Sequence, residues 1–125
     1  MKIEFLKSGF PDCPLIRLYE FDASEAQSLR RICLQLARDR TKVLPVHKEQ
    51  GILAINGCEL TLNRGEKDRG VFETTPLKFA WILTKAGWLS VAGLIRPFSR
   101  TNSGGFQWLS DGGKIRILLS SDGRW

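Results

Sequence analysis

The chain has 125 residues, of which 42% are hydrophobic and 26% are charged. This length and composition predict a single domain, residues 1–125, with a core of its own, and they exclude a disordered chain. No apolar run approaches the roughly 18 residues of a membrane-spanning helix, and the three cysteines are too widely spaced for a metal knuckle or a redox pair. We therefore expect a soluble cytoplasmic protein with reduced thiols.

The formal net charge of +6 is distributed unevenly. Residues 30–48 contain six basic side chains and a single acidic one, Asp39. No carboxylate side chain occurs between Glu73 and Asp111. Such asymmetry favours a negatively charged partner, and nucleic acid is the class that the basic segments indicate.

Two strands are predicted at the start of the chain. Residues 2–5 alternate between polar and apolar side chains, and residues 15–21 have the branched and aromatic content of a second strand. The glycine and prolines within residues 8–14 predict the loop between them.

An amphipathic helix is predicted next. Asp22 can cap its first turn together with Glu25, and Ser24 with Gln27 makes the same pattern two residues later. The apolar stripe consists of Leu29, Ile32, Cys33 and Leu36. No glycine marks the end of this helix, which we place within residues 39–42.

Residues 51–62 carry the strongest local signal in the chain. Asn56-Gly57 is the dipeptide most tolerant of the two positive φ angles in a type I′ turn. With these residues as the loop, one face of the hairpin carries Leu53, Ile55, Cys58, Leu60 and Leu62. Turn chemistry and hydrophobic pattern therefore predict the same register.

Two further strands are predicted at residues 71–74 and 77–83, on either side of Pro76. The second strand is apolar on both faces, with Leu77, Phe79, Trp81 and Leu83 on one face and Ala80 and Ile82 on the other. We therefore expect it to be covered on both sides, by a helix or by a partner subunit.

A second helix is predicted from Thr84 as the cap, with Pro97 ending it near Ile95 or Arg96. Its residues Trp88, Val91, Ala92 and Ile95 are predicted to face the core.

A final hairpin is predicted after this helix. With Asp111-Gly112 as the loop, Trp108 faces Ile115 and Phe106 faces Ile117. With Gly112-Gly113 as the loop, the register moves by two residues and the same side chains stay on that face.

These elements predict an α+β fold, in which two helices pack on a mostly antiparallel sheet built from hairpins. The order strand, strand, helix, hairpin occurs twice along the chain. Two similar ββαββ halves are therefore a further hypothesis.

Catalytic signals are sparse. His47 is the only histidine, and an enzyme would most simply use it with Cys13 or a serine. The carboxylates have predicted roles in caps, turns and solvated loops. The pair Glu59 and Glu73 is the candidate for acid–base catalysis. No P-loop, dinucleotide fingerprint or metal-ligand spacing is present, so no cofactor and no metal are predicted.

The basic segments carry the most specific candidate site. Arg31, Arg38 and Lys42 share one helical face if the helix extends that far. The predicted nucleic-acid-binding set is Arg30, Arg31, Arg38 and Lys42. No helix-turn-helix spacing, zinc-finger pattern or RNA-binding aromatic motif accompanies these residues.

The main functional hypothesis is a non-catalytic module that binds protein or associates with itself. It is based on the apolar strand at residues 79–83, the hydrophobic helix at residues 88–95 and the lack of a catalytic constellation. The first alternative is nucleic-acid binding by the basic helix face. The second is an enzyme that uses His47, with no identifiable reaction. No membrane partner is expected.

Overall fold

The computed structural model describes residues 1–10, 13–101, 104–110 and 112–125. Two helices and two mixed sheets, of five and four strands, make up the α+β fold. The predicted fold class is confirmed. Asp111, part of one predicted turn, and the side chain of Cys13 lie outside the described part of the chain.

The elements follow one another in a simple order. The strands are β1 (Lys2–Phe10), β2 (Cys13–Tyr19), β3 (Val43–Pro45), β4 (Leu53–Ala54), β5 (Glu59–Arg64), β6 (Gly70–Thr75), β7 (Lys78–Leu83), β8 (Phe106–Ser110) and β9 (Arg116–Ser120). The helices are α1 (Ala23–Ala37) and α2 (Lys85–Arg100), and short 3-10 turns lie at Val46–Lys48 and Ile55–Gly57.

Both sheets are assembled around a parallel pair of strands. Sheet A has the order β4-β1-β2-β9-β8, and sheet B has the order β3-β5-β7-β6. Strands β2 and β9 are parallel in sheet A, and β5 and β7 are parallel in sheet B. Each parallel pair joins one antiparallel pair of strands to another. This arrangement does not confirm the predicted ββαββ halves, which stay a hypothesis.

Helix α1 begins with the predicted capping box. The Asp22 carboxylate accepts a hydrogen bond from the backbone N–H of Glu25 at 2.8 Å, and the Glu25 carboxylate accepts one from the N–H of Asp22 at 3.2 Å. The helix ends at Ala37, before the predicted range. Asp39 adopts a φ of 59°, and the Arg64 guanidinium donates to the carbonyl of Leu36 at 2.9 Å. The Arg64 side chain of β5 therefore donates a hydrogen bond to a backbone carbonyl in the last turn of α1.

Helix α2 begins as predicted, because the hydroxyl of Thr84 accepts a hydrogen bond from the N–H of Gly87 at 3.2 Å. The predicted end was wrong, since the helix continues through Pro97 to Arg100. Pro97 lies in the last turn, where its ring removes only the hydrogen bond to the carbonyl of Gly93. Losing one bond near a helix end does not stop the preceding turns from packing.

One core connects the helices to both sheets. The predicted core residues of α1 and α2 are all buried. Trp81 of sheet B packs edge-on against Trp88 of α2, with ring centres 4.9 Å apart. Phe5 of sheet A and Phe79 of sheet B are 4.7 Å apart. The Phe21 ring, just before α1, lies 6.0 Å from Phe98 near the end of α2.

The predicted hairpin over residues 51–62 was wrong. Strand β4 pairs in parallel with β1 in sheet A, whereas β5 pairs with β3 and β7 in sheet B. Asn56 and Gly57 do have the positive φ angles of the turn, 55° and 74°. The strands diverge after it because β5 gains two partners in sheet B, and Leu53 is left 57% exposed.

The final hairpin is present, but its predicted register was wrong. Trp108 pairs with Leu118 and Phe106 pairs with Ser120, and an irregularity follows Trp108. The core-facing residue of β8 is Leu109, and Phe106 is 48% exposed. A β-bulge shifts the faces of a strand in this way, and hydrophobic alternation alone does not reveal it.

We expect Asp22→Ala to lower the free energy of unfolding by about 1 kcal/mol, because an orphan N–H of α1 loses its acceptor. Ser24→Ala is the matched control, since Ser24 belongs to the competing sequence pattern and is not the cap. It should change stability by less than about 0.5 kcal/mol. Urea denaturation measures both values, and equal losses would contradict this assignment of the cap.

Candidate functional site

Sheet B has one side that faces away from the core. Paired residues of neighbouring strands point to the same side of a sheet. The register therefore places one set of side chains outward, and we call this surface the open face: Val43, Pro45, Thr61, Asn63, Phe72, Ala80 and Ile82. These seven residues carry no charge and most of them are apolar, while the directly paired Glu59 and Lys78 lie on the same side at one end of the strands.

The open face is partly accessible to solvent, and five of its seven residues are half-buried. Val43 is 57% exposed and Phe72 is 39% exposed, whereas Phe79 and Trp81 on the opposite side are buried. Helix α2 packs on that opposite side through Trp88. Within the described ranges, no helix lies on the open face. Among the described residues, a helix therefore covers only one side of β7, whereas the sequence predicted cover on both sides.

Charged residues lie at the margins of the open face. The Glu59 carboxylate lies 3.9 Å from the ammonium of Lys78 at one end of the strands. At the other end, the N–H of Arg69 bonds to the carbonyl of Ile82 at 2.9 Å and holds the loop that precedes β6. An apolar centre with a charged rim is the usual layout of a protein–protein interface.

His47 has structural contacts on both ring nitrogens. Its Nδ1 accepts a hydrogen bond from the backbone N–H of Leu60 at 3.1 Å, and its Nε2 lies 3.1 Å from a carboxylate oxygen of Glu59. These contacts attach the 3-10 turn before β4 to β5. Among the residues that the structure describes, no thiol or hydroxyl is in hydrogen-bond contact with His47.

Cys33 and Cys58 are buried free thiols. The pKa of each is raised to about 12, mainly by burial, and for Cys58 the negative charges of Glu4 and Glu59 also contribute. A thiol is nucleophilic only as the thiolate, so neither cysteine is activated at neutral pH. In the described ranges, no group of three or more His, Cys, Asp or Glu side chains is placed to hold a metal ion.

The predicted basic set is only partly brought together. Arg31 lies on the exposed face of α1, and the exposed Arg38 is its C-cap residue, about 10 Å further along the axis. Arg30 is half-buried, and its Nε has no hydrogen-bond partner in the described structure. Lys42 lies beyond the end of α1, so the predicted extension of the helical stripe to Lys42 was wrong. The helix stops because Asp39 turns the chain.

The fold gathers a different basic cluster where α1 ends and α2 begins. The N–H of Arg64 bonds to the carbonyl of Lys42 at 2.8 Å, and the N–H of Thr84 bonds to the carboxylate of Asp68 at 2.7 Å. We call this region the basic end; its seven cations are Arg38, Arg40, Lys42, Arg64, Lys67, Arg69 and Lys85. Its three carboxylates are Asp39, Glu66 and Asp68.

Two of the carboxylates at the basic end have structural partners. Asp39 lies 3.6 Å from the guanidinium of Arg64, and Asp68 accepts hydrogen bonds at the start of α2. Among the described residues, Arg38 and Lys42 form no ion pair. Sequence reasoning missed this cluster because three separate segments supply it, and no local pattern connects them.

Comparison of the chain with family models, curated proteins and solved structures gives no match. In the described part of the chain, neither helix has the length and apolar character needed to cross a membrane.

We expect Cys33 and Cys58 to resist alkylation in a folded Cys13→Ser variant at about pH 8 and to react on unfolding. Because the pKa of both thiols is raised from 9.0 to about 12, the folded state favours their protonated form. Their contribution to stability is complete below pH 9 and is lost as the pH rises toward 12. Alkylation followed by mass spectrometry tests this, and rapid labelling of the native protein would contradict it.

Proposed function

We propose that this chain is a non-catalytic protein-binding domain that associates with a second copy of itself through the open face. The observation that supports this proposal is the uncovered apolar side of sheet B, with Val43 57% exposed. Exposed apolar patches with polar rims mark interaction sites. Location in the cytoplasm is part of the proposal and rests on the sequence alone.

A second copy is a suitable occupant because the open face can complement itself. In a twofold dimer the same patch meets itself, so an apolar centre such as Ala80 packs against its own equivalent. The rim contains both signs of charge, with Glu59 and Lys78 at one end and Arg69 at the other. A twofold axis perpendicular to the strands would bring opposite ends of the strands together and place Glu59 near Arg69 of the second copy.

The size of the open face predicts a weak dimer. Four strands spaced about 4.8 Å apart, with about six residues in the longer ones, present roughly 400 Å². Two copies would bury roughly 800 Å² in total, below the range of about 1,200–2,000 Å² of stable complexes. The proposed association is therefore concentration-dependent and reversible.

We expect Val43→Lys to shift the association toward monomer, because the new ammonium would be desolvated at the interface. Leu53→Lys is the matched control: Leu53 has the same 57% exposure but lies in sheet A. Both variants add one positive charge. Sedimentation velocity at several protein concentrations measures the effect, and an equal shift in the two variants, or a wild-type chain that stays monomeric, would contradict the proposal.

The second candidate function is nucleic-acid binding at the basic end. Backbone contacts bring cations from the segment after α1, the loop before β6 and the start of α2 to the same end of the molecule, and several form no ion pair within the described chain. Unpaired cations near one another can neutralise phosphates and release counterions. Lys67 and Arg69 enlarge the site beyond the residues that the sequence indicated.

We expect replacing both Arg38 and Lys42 by Gln to weaken oligonucleotide binding and reduce its salt dependence by a slope of about 2. Replacing Arg96 and Arg100 by Gln removes the same charge from α2 outside the basic end and is the matched control. Fluorescence anisotropy at about 50 and 200 mM salt measures both effects. Equal weakening by the two double variants would indicate that the affinity for the oligonucleotide depends on net charge alone and not on the basic end. No binding at low salt would exclude this function.

A further inference from the structure

Strand β6 is an edge strand with a free side. It pairs with β7 in an antiparallel register, and no other described strand pairs with it. In an antiparallel ladder, about half of the backbone N–H and C=O groups of an edge strand point away from its single partner. Those groups of β6 are available to another extended chain.

The other edge strands are better protected against strand addition. Strand β3 has three residues and ends in a proline, and β4 has only two residues. Strand β8 has five residues but packs against α2. Strand β6 has six residues, contains no proline, and makes its extensive contacts with β7 alone. Short length, proline, cover and β-bulges are the usual means by which proteins block an edge, and β6 has only a register irregularity near its end, between Glu73 and Thr75.

A groove of about 550 Å³ runs beside β6. Its apolar lining is supplied by Phe5, Pro14, Val71, Phe72 and Ile115. Its charged lining is supplied by Arg69, Glu73 and Lys114. The Phe5 wall is held in place by Phe79, whose ring lies 4.7 Å away. A volume of this size is in the range of typical ligand pockets.

The charges of the groove favour an acidic residue in the occupant. The Glu73 carboxylate accepts a hydrogen bond from the N–H of Leu77 at 3.0 Å, so the turn after β6 already engages it. Arg69 is exposed and forms no ion pair among the described residues. An acidic side chain beside Arg69 would gain a charge-assisted hydrogen bond.

We propose that β6 binds an extended peptide segment of a partner protein by strand addition. Main-chain hydrogen bonds to β6 hold the peptide, and its alternate apolar side chains enter the groove against Phe5, Val71 and Ile115. An acidic residue of the peptide pairs with Arg69. This site differs from the self-association proposed for the open face, although Phe72 and the rim residue Arg69 border both surfaces.

The test uses an acetylated, amidated peptide of alternating Val and Thr that begins with Glu. Two control peptides carry N-methyl groups on either the Val or the Thr amides. Only one alternate set of amides can donate to β6, so one control should bind at least about tenfold more weakly than the parent, and the other should bind like it. Amide chemical shifts in NMR titrations should change at residues 69–73 and 112–115.

Charge reversal gives an independent check on the same site. Arg69→Glu should weaken binding of the Glu peptide and restore it for a peptide that begins with Arg. Lys67→Glu, which changes the same loop outside the groove lining, is the control and should leave the preference for Glu intact.

Several results would overturn strand addition at β6. These are no saturable binding, equal binding of both N-methylated peptides, or shifts confined to β3 and β5. Peptide binding by the Val43→Lys variant separates this proposal from the one for the open face: retained binding with lost self-association supports both, and lost peptide binding in that folded variant places the peptide on the open face.

Discussion

The parallel pairings β2–β9 and β5–β7 are the constraint on which the rest of the structure depends. The first aligns Leu15 with Arg116, about 100 residues apart in sequence, and forming it carries a loop-closure cost. Burial of Ile16, Leu18 and Ile117 in one core offsets that cost. Each pairing joins two antiparallel pairs of strands into a sheet, and the two sheets then hold both helices against a shared core.

The surfaces with functional interest are consequences of this assembly. Because β5 is a central strand of sheet B, one of its sides packs on the helices and the other contributes Thr61 and Asn63 to the open face. The same pairing brings the end of β5 beside the start of α2, which concentrates cations at the basic end. It also leaves β6 at the margin of sheet B with one unpaired side.

Local signals in the sequence predicted local structure well. The capping box at Asp22, the cap at Thr84 and the positive φ of Asn56 depend on neighbouring residues, and all three are present. Strand pairing depends on distant residues, so the sequence around Asn56 predicted a hairpin where the chain passes from one sheet to the other. The basic end was unpredictable for the same reason. The apolar outer residues Ala80 and Ile82 were visible in the sequence, but the sequence did not predict that helix α2 would pack on the opposite side of β7.

If the open face of sheet B is an interface between copies of this chain, its residues change environment as the protein concentration rises. The most direct measurement is a series of ¹H–¹⁵N NMR spectra recorded over a wide range of protein concentration. Self-association through the open face predicts concentration-dependent shifts in β3, β5 and β7, with sheet A unchanged. Spectra that do not depend on concentration, or shifts that occur only outside sheet B, would contradict it.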